Sequence, residues 1–583
     1  MHKYAMMDIQ GGRYMKRFIL LILSICLLCS CTPTKQLLPF DTFIENVTDI
    51  FLDGTTSFQL NYIYNNSVYD GKVFGLGFVD ELEYNDTMEE YQLILSELKQ
   101  YNQKQLNSQQ QVLYTALEDY LKRQLVLKDY YYYQNPYIGS YSSYIQELPL
   151  LLEMYTFMDE EDIHNYFKNI QSFKSDFIKA CQLEEIRQEK NLGYSQVIID
   201  DILKQVKEII DENGENLIQS INNTFDHLDF LSQEKKEEYK KQNKYIIQHD
   251  YMDAYKALYD NLKQIKGKET NNSINDKEYY QDLIYHQIGI KDSISSIEKR
   301  LMQSYEDNYN SMVQLLMMNQ ELLDQDNIYD INYKEFTDCI SGLNYLKTKI
   351  TKIVPEIEDL SYSIYEVPES LQDGFAPAAY LHPKIDMDNN QKETIMINSS
   401  VPQTNIFPTL VHEGYPGHLY QNSYLRLKNY PDLMYLLDCI GYSEGWAIYM
   451  ENRCSEFLEN HVSWQKLVQA NDSLSSCILA LIDIGIHYKG WDYKDCVNFY
   501  NQHLNLSLTN ELLEIYNVIL QIPGYYLYYM YSGELFHDFY IQCKDKLGNN
   551  FNEIEFHQTI LDCGTIGLDA LQKKINSFIK AND

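Results

Sequence analysis

The chain contains no C-x-x-C pair, which removes a cysteine zinc knuckle from consideration. It is also short of positive charge: 48 Lys and Arg stand against 84 Asp and Glu, a formal net charge of −36. Nucleic-acid binding needs a basic footprint, so no nucleic-acid partner is expected. The acidic excess keeps the protein soluble, and it is either a solvated surface or a field that draws cationic groups into clefts. No internal repeat stands out. The apolar run Phe18 to Leu28 is short for a membrane-spanning helix. The common H-E-x-x-H metal motif is missing as well.

The chain does have bulk and tyrosine. Its 583 residues can bury a large core, as three or four domains or as one large helical shell. The 53 Tyr combine packing area with a polar tip. They either line a groove for peptide or carbohydrate or reflect biased codon usage.

The first 31 residues are set apart from the fold. Met15-Lys16-Arg17 is a basic start, the apolar run follows, and Leu28-Cys29-Ser30-Cys31 resembles a bacterial lipobox with the lipidated residue at Cys31. Met15 reads as the start of the signal, because residues 1–14 lack signal character. The expected result is an extracytoplasmic protein tethered to the bacterial membrane through Cys31, with a plain cleaved signal as the alternative. Of the 11 Cys, eight lie beyond the leader, mostly in apolar helical settings suited to free buried thiols.

Four segments are expected: a signal with lipobox at 1–31, a tether at 32–45, a helical region at 46–353 and a catalytic region at 354–583. The last two are expected to form one compact unit. Apolar residues recur at three- and four-residue spacing through Tyr91–Leu98 and Ile199–Val206. Gly267 to Asn275 reads as a loop. Near 354 the texture changes, with Pro355, Pro368, Pro377 and Pro383 and an acidic turn from Asp386 to Asn390. Thr394–Asn398 reads as a short strand. Phe407–Tyr415 should be helical with Pro408 near its start, and 431–456 and 465–485 read as long helices. The fold class expected is mainly α, a large helical shell with a small β element.

The chemistry concentrates in Val411-His412-Glu413-Gly414-Tyr415-Pro416-Gly417-His418, followed by Glu444-Gly445-Trp446. Zinc takes about three protein ligands and leaves one open position. A second His at i+6 is turned ~120° from the first on an ideal helix, so a straight helix cannot aim both at one ion. Pro416 and Gly417 allow the helix to break after Tyr415 and swing His418 back. Glu444, from a second helix, completes a two-His, one-Glu set for Zn2+. Glu451, seven residues on, shares its face and is either a partner orienting a His or a surface ion-pair residue.

These motifs resemble the bacterial domain of unknown function family 885, whose members are often lipoproteins and zincin-like. The resemblance rests on H-E-x-x-P-G-H at 412–418 with Gln421, on E-G-W-A-x-Y-x-E at 444–451, on Ile397-Asn398, on Pro523-Gly524 and on the closing Phe556-His557 to Gly564. It implies a mainly helical fold with a gluzincin-like site, His412, His418 and Glu444 as metal ligands, and Glu413 as catalytic base. Departures from the family pattern fall at Leu419, Tyr525 and Gly567.

The function expected is a zinc-dependent metallopeptidase acting on short peptides, with Glu413 passing a proton from water to the leaving amine. The oxyanion needs a further donor, for which Tyr528, Tyr529 and His557 are the candidates, His557 being either such a donor or a satisfied buried His. Ile395 to Asn398 is either an ordinary strand or an edge that takes up an extended peptide. His382, His487 and His537 lack ligand spacing and read as structural. The alternative function is a surface lipoprotein that binds peptides or glycans without catalysis.

Overall fold

The computed structural model describes residues 37–65, 73–324, 327–358, 360, 362–367, 372, 376–386, 392–401, 404–504 and 510–583. The signal, the lipobox, Cys31, Pro368 and the turn beyond Asp386 lie outside the described residues. Of the tether expected at 32–45, residues 40–45 are helical instead. The helix Phe40–Leu52 begins inside it, because Phe40, Phe43 and Ile44 find buried positions in the main core.

Helices dominate, and their starts follow local chemistry. Asp80 and Asn107 cap Glu81–Leu98 and Ser108–Leu125 with reciprocal side-chain bonds, and Asp159 accepts two N–H groups at the head of Glu160–Glu189. The core has two main parts. The smaller is built within residues 58–265, largely from Glu160–Glu189, Gln196–Glu212 and Met252–Leu262. The larger joins Phe40–Leu52, Glu81–Leu98 and Ser108–Leu125 to most of the chain after 280. Residues on both sides of 353 therefore share one apolar interior.

Six helices frame the site. They are α1 (Ile294–Met318), α2 (Phe407–Glu413), α3 (His418–Arg426), α4 (Ile440–Cys454), α5 (Val462–Ile484) and α6 (Tyr525–Leu547). The apolar α5 runs between α1 and α6 in the core. The sheet has three strands, β1 (Tyr362–Glu366), β2 (Ala378–Leu381) and β3 (Glu393–Ile397), in the order β1-β3-β2. β1 runs parallel to β3, and β2 runs antiparallel to it.

Two expectations change here. The strand at 394–398 exists, but as β3 it is paired on both sides, so it has no edge to offer a peptide. The long helix expected over 431–456 is broken. Leu433–Leu436 stops, Cys439 is extended, and α4 starts at Ile440. The cause is tertiary: the buried Arg123 guanidinium donates to the Asp438 carbonyl, which a continuous helix would have used internally.

α4 and α6 approach closely because both carry glycine at the contact. A Cβ on Gly445 would stand 2.7 Å from Ser532 Cβ, and one on Gly533 would stand 2.5 Å from Ile448 Cγ2. Gly445→Ala is expected to destabilise the fold by about 1–3 kcal/mol through overpacking. Urea unfolding checks this, and an unchanged midpoint would show that the two helices can separate without cost.

Candidate metal centre

The helix α2 ends at Glu413, two residues earlier than the sequence suggested. Gly414 takes a non-helical backbone, and Gly417 N–H returns to the Val411 carbonyl at 2.9 Å. Gly417 lies against the end of α2 so closely that a Cβ would be 1.9 Å from the His412 carbonyl oxygen. No other residue fits there. The chain restarts as α3 at His418, which turns the second imidazole back over the first. Their ring centroids are 4.7 Å apart at 84°.

α4 brings the carboxylates. Glu444 Oε2 is 3.3 Å from His412 Nε2 and 3.6 Å from His418 Nε2. One donor atom from each of His412, His418 and Glu444 lies within 4.8 Å of the others. On the other side of the ring, His412 Nδ1 meets Glu451 Oε1 at 2.6 Å. Trp446, between the two glutamates, donates from Nε1 to the Pro416 carbonyl at 2.8 Å and so ties α4 to the turn that carries His418.

The donor set suits a metal ion. Glu444 Oε2 is buried and accepts no well-formed hydrogen bond, although two imidazole nitrogens face it. Two imidazoles and a carboxylate are the ligand types that zinc takes with one position open. The side chains of His418 and Glu444 remain 14% and 12% exposed, which leaves an approach from solvent. Burial disfavours charge on His412, but the Glu444 and Glu451 carboxylates beside its two nitrogens outweigh it and raise the imidazole well above its ordinary range. Burial likewise disfavours the Glu444 charge, yet His418 and His412 hold its carboxyl well below the carboxylate range.

Glu413 lies beside the cluster without belonging to it. Its Oε2 accepts the Tyr380 backbone N–H at 2.7 Å. This strand-to-carboxylate bond is a residue role that sequence reasoning missed, since a backbone donor leaves no mark on residue identity.

Of the candidate phenols, Tyr529 is half-buried and Tyr528 is buried. Burial, the Glu444 charge, its neighbours Tyr528 and Tyr525, and Glu413 together push the Tyr529 phenol well above its usual range, so it stays a proton donor. His557 is not brought to the site. Its Nδ1 bonds the Ile353 carbonyl at 2.7 Å, its Nε2 meets Tyr449 OH at 2.8 Å, and the ring is fully buried beside Trp446. Both nitrogens are therefore occupied, and burial lowers its pKa to about 3. His487 is similarly buried and bonds the Ile519 carbonyl.

Fold and site together define a mainly helical protein with a His-His-Glu cluster able to hold a metal ion. The chain belongs to the bacterial protein family of unknown function DUF885, whose model matches residues 77–575. Two solved structures share its fold. The putative lipoprotein from Colwellia psychrerythraea has a TM-score of 0.75 at 16% identity, covering 87% of this chain and 92% of that one. A putative lipoprotein of unknown function from Shewanella oneidensis has a TM-score of 0.64 at 15% identity, covering 92% of this chain and 99% of that one. No curated protein matches the sequence.

Metal analysis of the full-length protein is expected to find about one zinc per chain, lost in a His412→Ala, His418→Ala double variant. Zinc must displace the proton on His412, so affinity should rise with pH, by about tenfold per unit while one proton is released. Glu451→Gln should weaken zinc binding by about 10–100-fold, because the His412 ring loses its orienting acceptor. Titrations at several pH values test both, and flat affinity would remove His412 from the ligand set.

Proposed function

We propose that this protein is a zinc-dependent metallopeptidase that cleaves short peptides outside the cytoplasm, held at the bacterial membrane by a lipid on Cys31. The observation that carries the reading is the placement of Glu413: a carboxylate beside a complete ligand set but outside it, aimed by a backbone N–H. A protein that only binds peptides has no use for such a base.

His412, His418 and Glu444 would hold the ion. When bound, zinc supplies Lewis acidity toward water and the substrate carbonyl. Glu413 takes a proton from the attacking water and later delivers it to the departing amine. The Tyr380 N–H fixes the Glu413 carboxylate while it does so. Tyr529 donates its O–H to the carbonyl oxygen as that atom gains charge.

Glu413→Gln is expected to keep zinc and lose turnover by at least about 100-fold. A peptide-library screen on the native and variant proteins reads this out, and hydrolysis by the variant at the native rate would remove Glu413 as the base.

A further inference from the structure

Asp483 is an ionisable side chain in the last turn of α5 with no solvent exposure. Glu184, equally buried, has Arg187 as its partner. Asp483 has no such cation among the described residues. Its partners are Tyr280, whose hydroxyl donates to Oδ1 at 2.7 Å, and the Gly524 N–H, shared by Oδ1 and Oδ2 at 3.0 Å each. An apolar side chain would fill this position at far lower desolvation cost. What the carboxylate grips explains its presence.

Gly524 immediately precedes α6 and has φ +82°. A Cβ there would stand 2.2 Å from Gln287 Oε1, and Gln287 Nε2 donates to the Pro523 carbonyl at 3.1 Å. Two other helices thus clamp the Pro523-Gly524 turn, Asp483 by the amide hydrogen and Gln287 by the preceding carbonyl. The next turn carries Tyr525, Tyr528 and Tyr529. Their rings meet at 5.4 Å (Tyr525 to Tyr529) and 4.9 Å (Tyr528 to Tyr529), and all three feel the Glu444 charge. A helix is stiff, so a tilt at Gly524 moves the Tyr529 hydroxyl, and a donor must be held to about 0.5 Å to serve a transition state.

We propose that Asp483 is a positioning residue: its grip on the Gly524 N–H sets the start of α6 and thereby aims the Tyr529 phenol at the oxygen that gains charge in the metal site. This rests on the role given to Tyr529 above.

The test is a double-mutant cycle on the full-length, zinc-loaded protein. It is read by calorimetric binding of a phosphonate dipeptide, a tetrahedral anion, alongside kcat and KM on a cleaved peptide. Tyr529→Phe is expected to weaken phosphonate binding by about tenfold. Asp483→Ala should match that loss, with zinc content unchanged, kcat reduced and KM nearly constant. Asp483→Asn keeps an acceptor for Gly524 and should recover most of the affinity. The double variant should bind no more weakly than Tyr529→Phe alone. Losses that multiply, or native binding by Asp483→Ala, would overturn the proposal. If Asp483→Ala does not fold, the cycle is run with Asp483→Asn, whose smaller loss must vanish in the Tyr529→Phe background. A native protein that binds the phosphonate with this pattern but cleaves no peptide removes the peptidase reading and leaves the positioning role. Cleavage with multiplying losses does the reverse, and absence of phosphonate binding by the native protein removes both.

Discussion

The interaction on which the rest depends is a buried imidazole held between two carboxylates. His412 is almost fully enclosed, with Glu444 3.3 Å from Nε2 and Glu451 2.6 Å from Nδ1. Charged or strongly polar groups survive burial when they are paired or coordinate a metal. Both carboxylates come from α4, two helical turns apart, so α4 must press one face against α2. Its opposite face must then pack without obstruction, and Gly445 against Ser532 and Phe536 provides that on the α6 side.

The same helix links the other parts. Trp446 fixes the turn at Pro416, and that turn decides where His418 points. α6, drawn close to α4 by Gly445 and Gly533, brings the Tyr525–Tyr529 face to Glu444. The sheet completes the arrangement from the far side, where the Tyr380 N–H holds Glu413. Helix contact, turn and strand edge converge on one cluster because each is anchored to α4 or α2.

Much of this was legible in the chain. The i+6 spacing of His412 and His418 demanded a break, and Pro416 and Gly417 allowed one after Tyr415; the structure makes it two residues earlier, at Gly414. The seven-residue step from Glu444 to Glu451 put both on one face, and the structure shows Glu451 on His412. The failures have a common cause. Thr394–Asn398 carried a strand pattern, but alternation of residue types cannot tell a central strand from an edge. The break before α4 is imposed by Arg123, 315 residues from the carbonyl it holds. The sequence leaves His557 open between a donor and a satisfied buried His, and Tyr449 and the Ile353 carbonyl, from distant segments, take both its nitrogens.

The sequence by itself determined the helical character, the two imidazoles and the carboxylate of the cluster, the adjacent Glu413 and the need for a break between the two imidazoles. Those properties follow from local periodicity, backbone freedom and side-chain chemistry. The tertiary structure decided which of the many tyrosines feel the Glu444 charge, which strand is paired on both sides, and which buried carboxylate accepts the Gly524 N–H. These are contacts between residues far apart in the chain, chosen by close packing and by the need to satisfy every buried polar group, and no local pattern encodes them.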